Sequence, residues 1–151
     1  MRIAQLSGFV SSYQHTFSKI INATSVKDVK SLFQTTTSPY WKNHYVFDEQ
    51  SVVTEKKLGN SSIENILINT VCPILFFYGK IRKEESLCEK AVKWYDELKA
   101  ESNHIMKLFE ELSFKPCNAG QSQGIIQLYN NYCSGKKCLQ CGIGSHILKT
   151  K

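Results

Sequence analysis

Hydrophobic residues recur at steps of three and four along most of this chain, which is the pattern of helices with one buried face. The spacing predicts a first helix that ends near Asn22 and a second that Thr24 or Ser25 caps and that runs through Phe33. A short third helix is expected after Ser38-Pro39. Four longer helices are predicted further along, over residues 61–79, 84–100, 102–112 and from about 118 to 132.

The predicted helix at 61–79 carries the longest apolar face of the chain. Pro73 lies inside it and supplies no backbone donor, so we expect a kink near Asn69 and Thr70. Asn69 is expected on or near the buried face, where its amide needs hydrogen-bond partners. We expect Gly79 to end this helix as a C-terminal cap.

Strand patterns are nearly absent, so the predicted fold class is all-α. We expect a bundle-like single domain over residues 1–151, with six to seven helices, a kinked central helix and a basic, cysteine-containing end at 132–151. A chain of 151 residues with 42% apolar composition can bury a core without disulfides. The apolar run from Ile63 to Tyr78 contains polar residues and no secretory signal precedes the fold, so we expect a cytoplasmic protein without membrane contact.

An aromatic segment follows Pro39 and packs four aromatic rings and His44 into residues 40–47. Such a segment suits either a core anchor or a binding surface, and the core anchor is the preferred interpretation. We expect His44 to hydrogen-bond inside the fold rather than to act as a ligand or an acid–base group.

The positive charge is concentrated at one end of the chain. Residues 116–151 hold four lysines and no acidic residue, which is two-thirds of the net charge of +6. A basic, acid-free end suits contact with phosphates, and equally suits a solvated tail. If nucleic acid is the partner, Lys136, Lys137 and Lys149 are the candidate contacts.

Three of the six cysteines cluster in this basic end. Cys133, Cys138 and Cys141 have the spacing C-x4-C-x2-C, and two thiolates two residues apart can bind one metal ion, either zinc or the iron of an iron–sulfur cluster. His146 and Cys117 are the candidate fourth ligands. Two alternatives stay open, namely a disulfide among the clustered thiols and reduced thiols packed as small apolar residues.

Two further expectations concern the other three cysteines and the glycines of the basic end. Cys72 and Cys88 lie in apolar patterns and, with Cys117, are assigned to the core. The glycines of the basic end are expected to give the loop around the clustered cysteines its positive φ angles. These glycines are Gly135, Gly142 and Gly144.

The sequence contains no recognisable catalytic constellation, and we expect no enzyme activity. No acid close in sequence could orient His146 as a base for a cysteine nucleophile. Glycine loops for phosphate and serine nucleophile elbows do not occur in the sequence. The paired carboxylates are expected on exposed helix faces, where water solvates them. These pairs are Glu84-Glu85, Asp96-Glu97 and Glu110-Glu111.

The chain resembles, over nearly its whole length, the C-terminal region of an uncharacterised bacterial family catalogued as domain of unknown function 2851. Several strings carry the resemblance, and the last is the most specific. They are Arg2-Ile3-Ala4-Gln5-Leu6, Phe17-Ser18-Lys19-Ile20, residues 40–45, residues 65–71 with Pro73, Ser122-Gln123, and residues 132–144 from Tyr132-Cys133 to Ile143-Gly144.

The resemblance implies a larger protein. Proteins of this family are longer, and their N-terminal portion resembles the acidic and lysine-bearing core of restriction-type nucleases. The resemblance therefore implies a non-enzymatic helical domain with a structural or interaction role beside that N-terminal domain. Its alternative is a nucleic-acid-binding accessory domain of a nuclease-like protein, with a small zinc or iron–sulfur site. His146 and Cys117 lie outside the family pattern.

Overall fold

A computed structural model of the chain describes residue 9 and residues 15–34, 38–53 and 57–149. This described part holds eight helices and no β-strand, and an isolated antiparallel bridge pairs His44 with Gln50. The fold class is therefore all-α, as predicted. We predicted one domain over residues 1–151, and the chain divides into two compact units, Met1–Trp94 and Tyr95–Lys151.

The helices of the first unit are α1 to α5, the last of which extends to Glu97. Their bounds are α1 Thr16–Asn22, α2 Val26–Leu32, α3 Pro39–Lys42, α4 Asn60–Ile66 continuing through a π-helical turn Leu67–Val71 into Cys72–Arg82, and α5 Glu85–Glu97.

The second unit contains α6, α7 and α8, and a short 3-10 turn precedes α8. Their bounds are α6 His104–Glu111, α7 Ala119–Leu128 continuing into a π-helical turn Tyr129–Cys133, the 3-10 turn Cys138–Gln140, and α8 Gly142–Lys149.

The first two helices have the ends that the sequence predicts. Helix α1 ends at Asn22, while the start of the predicted first helix, at residues 1–8 and 10–14, lies outside the described residues. Ser25 caps α2: its hydroxyl accepts the amide of Asp28 at 3.2 Å, and the Asp28 carboxylate accepts the amide of Ser25 at 3.0 Å. This reciprocal pair is a capping box, which satisfies two otherwise unpaired amides.

Ionic contacts join α2 and the end of α1 to later helices of the same unit. The ammonium group of Lys90, on α5, donates to the carbonyls of Ile21 at 2.7 Å and Ala23 at 3.2 Å. A cation is favoured there because the last carbonyls of a helix carry partial negative charge. Lys30 of α2 pairs with Glu64 of α4 at 2.6 Å.

The irregularity in α4 lies where we predicted a kink. The turn Leu67–Val71 is π-helical, and the amide of Cys72 donates to the carbonyl of Leu67, five residues earlier. Pro73 explains this widened turn because it has no amide to donate to the carbonyl of Asn69 and its ring crowds that carbonyl. Asn69 itself is exposed, contrary to our expectation, and its side-chain amide donates to the carbonyl of Asn65 at 3.2 Å.

The predicted end of α4 at Gly79 is wrong. The helix continues to Arg82 and ends at Lys83, which has the positive φ angle of 58°. The amide of Glu84 donates to the carbonyl of Gly79 at 2.9 Å, which forms a Schellman motif with Lys83 at the left-handed position. Gly79 is needed for space instead, because a Cβ atom there would lie 2.8 Å from the sulfur of Cys88.

The core of the first unit is built around α4, α2 and α5. Leu67, Cys72 and Leu75 of α4 are fully buried, as are Val29 of α2 and Ala91 of α5. Cys72 and Cys88 are both buried, as predicted, and the thiol of Cys88 donates to the carbonyl of Phe76 at 3.5 Å. These two thiols therefore pack as small core residues.

The aromatic segment is not the core anchor that we expected. Phe47 is 74% exposed and Tyr45 is 51% exposed. The rings of Tyr40 and His44 stack on each other at 4.0 Å. His44 is buried, and its Nδ1 lies 2.9 Å from the carbonyl oxygen of Tyr40, so its predicted internal hydrogen bond is confirmed. The segment packs against itself because its residues lie within one short, closed loop.

Asparagine side chains begin two helices of the second unit. Asn103 accepts the amide of Met106 at 3.0 Å, at the start of α6, and Asn118 accepts the amide of Gln121 at 2.9 Å, at the start of α7. Ser122 is fully buried, and its hydroxyl donates to the carbonyl of Ala119 at 2.9 Å and accepts the amide of Glu101 at 3.1 Å. These contacts attach the α5–α6 connection to α7.

Helix α4 also bears on our expectation of no membrane contact. It is 23 residues long with a mean hydropathy of 1.3 in its most apolar window, and within the described ranges it alone is long and apolar enough to cross a membrane. Core helices of soluble proteins have the same length and composition. The finding assigns no location to the protein, and the sequence criterion that excluded a span is not confirmed.

The crowding at Gly79 gives a first prediction. We expect Gly79→Ala to lower the free energy of unfolding by about 1–3 kcal/mol, because the new methyl group meets the Glu84 carbonyl and Cys88 at close range. Gly124→Ala is the matched control, since a Cβ there meets nothing within 4 Å and should stabilise α7 by up to about 1 kcal/mol. Urea denaturation measures both, and equal effects of the two substitutions would contradict the assignment.

Cys72 gives a prediction about pH. Burial raises the pKa of its thiol from 9.0 to about 12. The unfolded chain releases this proton at lower pH than the folded chain, so the stability that depends on the neutral thiol is complete below pH 9 and is lost towards pH 12. The loss approaches about 1.4 kcal/mol per pH unit. Urea denaturation across this range should show a shallower fall for Cys72→Ala than for the wild type, and parallel curves would refute the prediction.

Candidate functional site

An apolar pocket of about 380 Å³ lies within the second unit, and all three clustered cysteines are among its lining residues. Its walls come from the end of α6, the last half of α7, the 3-10 turn and α8. Its lining residues are Phe109, Leu112, Phe114, Ile125, Leu128, Tyr132, Cys133, Cys138, Cys141, Ile143, Gly144 and Ile147.

The end of α6 forms one wall through a tight reversal of the chain. Ser113 has a φ angle of 63°, and the amide of Phe114 donates to the carbonyl of Phe109 at 3.0 Å. This is a Schellman motif, which normally brings the side chains of its first and last residues together. Phe109 and Phe114 accordingly both line the pocket.

The end of α7 repeats this reversal beside the cysteines. Lys136 has a φ angle of 51°, and the amide of Lys137 donates to the carbonyl of Tyr132 at 2.9 Å. We expected Gly135 to supply the positive φ, but no described glycine has one. The reversal carries the chain from Cys133, at the end of the π-helical turn, back to Cys138 on the same pocket wall.

Helix α8 was not predicted, and it forms one wall of the pocket. The amide of Ser145 donates to the carbonyl of Cys141 at 2.8 Å, in the first turn of the helix. Gly144 permits close packing, because a Cβ atom there would lie 2.6 Å from the carbonyl oxygen of Cys138. Gly142 and Gly144 are therefore helical residues rather than loop residues, and Ile143 and Ile147 face the pocket.

The clustered thiols differ in exposure. Cys133 and Cys138 are exposed, whereas Cys141 is buried, and no described cysteine is in a disulfide. Cys117 is exposed too, so its assignment to the core is wrong: it lies in the loop before α7, where its amide donates to the side chain of Gln121 at 2.8 Å. Cys141 directly precedes α8, which the sequence did not predict.

The structure does not gather the candidate metal ligands. Across the described ranges, no group of three or more histidine, cysteine, aspartate or glutamate side chains is arranged to hold a metal ion. Neither His146 nor Cys117 lines the pocket that Cys133, Cys138 and Cys141 share. The thiols lie among aliphatic and aromatic side chains, which is the environment of cysteines that pack as small apolar residues.

The other candidate residues are on the surface. Lys136, Lys137 and Lys149 are exposed, which is the placement that contact with a phosphate backbone needs. All six members of the paired carboxylates are also exposed, as predicted. They include Asp96, which accepts a hydrogen bond from Asn118 at 3.1 Å, and Glu85, which pairs with Lys80 at 3.3 Å.

Sequence reasoning missed a second apolar cavity, of about 630 Å³, in the first unit. Phe17 and Ile20 of α1, Phe33 after α2 and the face of α4 around Ile66 and Ile74 line it. Each of these residues was predicted to face a core. No periodic pattern could have shown that the packing leaves a cavity, because the pattern gives the face of a helix and not its distance from the next one.

The fold and the pocket define an all-α protein with an apolar pocket that Cys133, Cys138 and Cys141 help to line. Comparison of the sequence with family models gives a match to a protein of unknown function, DUF2851, over residues 1–104. The chain belongs to this family. No curated protein and no solved structure matches the chain.

The extent of the match differs from the resemblance that the sequence suggested. The matched residues end at position 104, whereas the strings at 122–123 and 132–144 were expected to carry the most specific part of the resemblance. The pocket begins at Phe109 and therefore lies beyond the matched residues. The family match therefore gives no information about the pocket.

The metal hypothesis is testable without activity. We expect protein purified without a histidine tag to contain well below one zinc or iron atom per chain, because its thiols do not converge with a further ligand. The double variant Cys138→Ser, Cys141→Ser should have the same content. Elemental analysis measures the metal content of both proteins. Loss of one equivalent of metal in the variant would contradict this expectation and support the metal hypothesis.

Proposed function

We propose that the second unit is a non-enzymatic interaction domain whose pocket binds the N-terminal domain of the longer family proteins. The segment bound there presents apolar side chains flanked by carboxylates. One observation carries the proposal, namely an open apolar pocket most of whose lining residues belong to the stretch 116–151, which has lysines and no acids.

The exposed apolar residues around the pocket support a protein partner. Leu112 is 75% exposed, Ile143 and Ile147 are each 59% exposed, and Phe114 is 51% exposed. Covering such a side chain fully stabilises a complex by about 1.5–3 kcal/mol. A contiguous group of this kind is typical of a surface that another molecule covers.

The charge around the pocket supports carboxylates in the partner. Lys136 and Lys137 stand immediately before Cys138, Lys149 ends α8, and residues 116–151 contain no acid that would offset them. Opposite charges at the rim of an interface favour the encounter and its orientation. The N-terminal portion that the family resemblance implies has an acidic and lysine-bearing core, and its carboxylates have the sign that matches these lysines.

The lining of the pocket supports binding rather than catalysis. Its described residues include three thiols but no histidine, aspartate or glutamate that could take a proton from them. A cysteine nucleophile needs such a base within hydrogen-bond reach. The pocket is therefore suited to holding apolar groups, and the carboxylate pairs elsewhere are spread over exposed helix faces.

Helix α8 provides a matched pair of variants. Ile147 lines the pocket and Leu148, its neighbour, does not, although the two are 59% and 55% exposed. We expect Ile147→Glu to weaken binding to the N-terminal domain of a longer family member at least tenfold, which is about 1.4 kcal/mol, because it places a charge against apolar groups. Leu148→Glu should leave the affinity within about twofold, a shift of only about 0.4 kcal/mol.

Isothermal titration calorimetry with the N-terminal domain supplied in trans measures both affinities, and circular dichroism checks that each variant keeps its helix content. Equal losses in the two variants, or no binding by the wild type, would contradict the proposal.

The lysines favour a second candidate, an accessory domain that contacts nucleic acid. True phosphate contacts give an affinity that falls steeply with ionic strength. Binding of duplex or single-stranded DNA that shows this dependence, and that Lys136→Gln with Lys137→Gln abolishes, would replace the protein partner with nucleic acid. Binding that is absent or insensitive to salt would remove this candidate.

A further inference from the structure

Cys138 and Cys141 stand at the two ends of a single 3-10 turn. The turn comprises Cys138–Gln140, and the amide of Cys141 donates to the carbonyl of Cys138 at 3.3 Å. A hydrogen bond of this kind closes a turn whose end Cα atoms lie within about 7 Å, and disulfides join Cα atoms separated by about 4.4–6.8 Å. Both thiols line the same pocket.

We propose that Cys138 and Cys141 form a reversible disulfide by exchange with an anionic low-molecular-weight disulfide, of which oxidised glutathione is the type. The proposal concerns a modification of the chain itself and does not rest on the protein partner proposed above.

The two thiols have unequal access to solvent, and this sets the order of the reaction. Cys138 is exposed, whereas Cys141 is 7% exposed. A dissolved disulfide therefore reaches Cys138 first, and Cys141 can complete the reaction from inside the pocket because it is already on the same wall. Accessible thiols start such exchanges, and a neighbouring thiol resolves them.

The exchange balances without any other reactant. The Cys138 thiolate attacks one sulfur of the small disulfide, so that a mixed disulfide forms and one small thiolate leaves. The Cys141 thiolate then attacks the sulfur of Cys138, which forms the protein disulfide and expels the second small thiolate. The two protons of the protein thiols end on the two released thiols. The protein loses two electrons and the small disulfide gains them.

The surrounding charge selects the oxidant. Lys136 and Lys137 directly precede Cys138, and no acid follows in the sequence. Oxidised glutathione carries more carboxylates than ammonium groups, so it is attracted to this segment, whereas the dication cystamine is repelled. The preference should weaken as salt screens the lysines.

Cys133 is the competing thiol, and it serves as the internal control. It lines the same pocket and is exposed, as Cys138 is. The reversal at Lys136 returns the chain to the same pocket wall, but its hydrogen bond joins Lys137 to Tyr132, whereas the hydrogen bond of the 3-10 turn joins Cys141 directly to Cys138. The proposal requires that Cys133 stays a thiol when the other two are oxidised.

The test uses the full chain, reduced and then incubated with oxidised glutathione. After alkylation of the remaining thiols, peptide mass spectrometry should show a disulfide between Cys138 and Cys141 and alkylated Cys133. The Cys141→Ala variant should stop at the glutathione mixed disulfide on Cys138, while Cys133→Ser should form the same disulfide as the wild type. Circular dichroism establishes that both variants are folded.

Three outcomes would overturn the proposal. They are a disulfide that includes Cys133, a glutathione adduct at Cys138 that persists in the wild type, and no protection of either Cys138 or Cys141 from alkylation. A separate measurement tests the role of charge. Oxidised glutathione should react faster than cystamine at low salt, and the difference between the two rates should shrink at high salt. The reverse order would refute an anionic oxidant.

Discussion

One backbone hydrogen bond recurs at three helix ends of the described chain, and the positions of the following elements depend on it. The amide two residues beyond the helix donates to a carbonyl in its last turn, from Glu84 to Gly79, from Phe114 to Phe109 and from Lys137 to Tyr132. Each bond turns the chain back over the helix that it has just left. The first leads directly into α5, and the other two adjoin residues that line the pocket, namely Phe109, Phe114, Tyr132 and Cys138.

These reversals are formed without glycine, which makes them costly. The left-handed residues are Lys83, Ser113 and Lys136, and for a residue with a Cβ atom that conformation is unfavourable by about 1–2 kcal/mol. The hydrogen bond offsets part of this free energy, and the apolar contact across the motif offsets more. Phe109 and Phe114 show the result, because both rings line the pocket. The pocket is therefore a consequence of how α6 and α7 end, and not only of which residues are apolar.

Local signals made the beginnings of several helices predictable, whereas the end of α4 and the presence of α8 were not predicted. Ser25, Pro39 and Asn118 act through hydrogen bonds or dihedral angles within a few residues, so the sequence identifies the starts of α2, α3 and α7. Gly79 and Gly144 act through distant neighbours, Cys88 and Cys138, which no local pattern contains. A glycine required for close approach looks the same in sequence as a glycine required for positive φ. Because of this ambiguity, the predicted end of α4 was too early and α8 was not predicted.

The spacing of the cysteines is ambiguous in the same way. The spacing C-x2-C places two thiols on one side of a turn, and this arrangement suits a metal pair and a disulfide equally. Which of the two the chain supports depends on residues far from the turn: a metal needs further ligands that converge, and the walls here come from the apolar residues Phe109, Ile125 and Ile147. Without converging ligands, the disulfide proposed above is the reaction for which the turn itself supplies both cysteines. The family match covers residues 1–104, so this turn belongs to the part of the chain that the match leaves open.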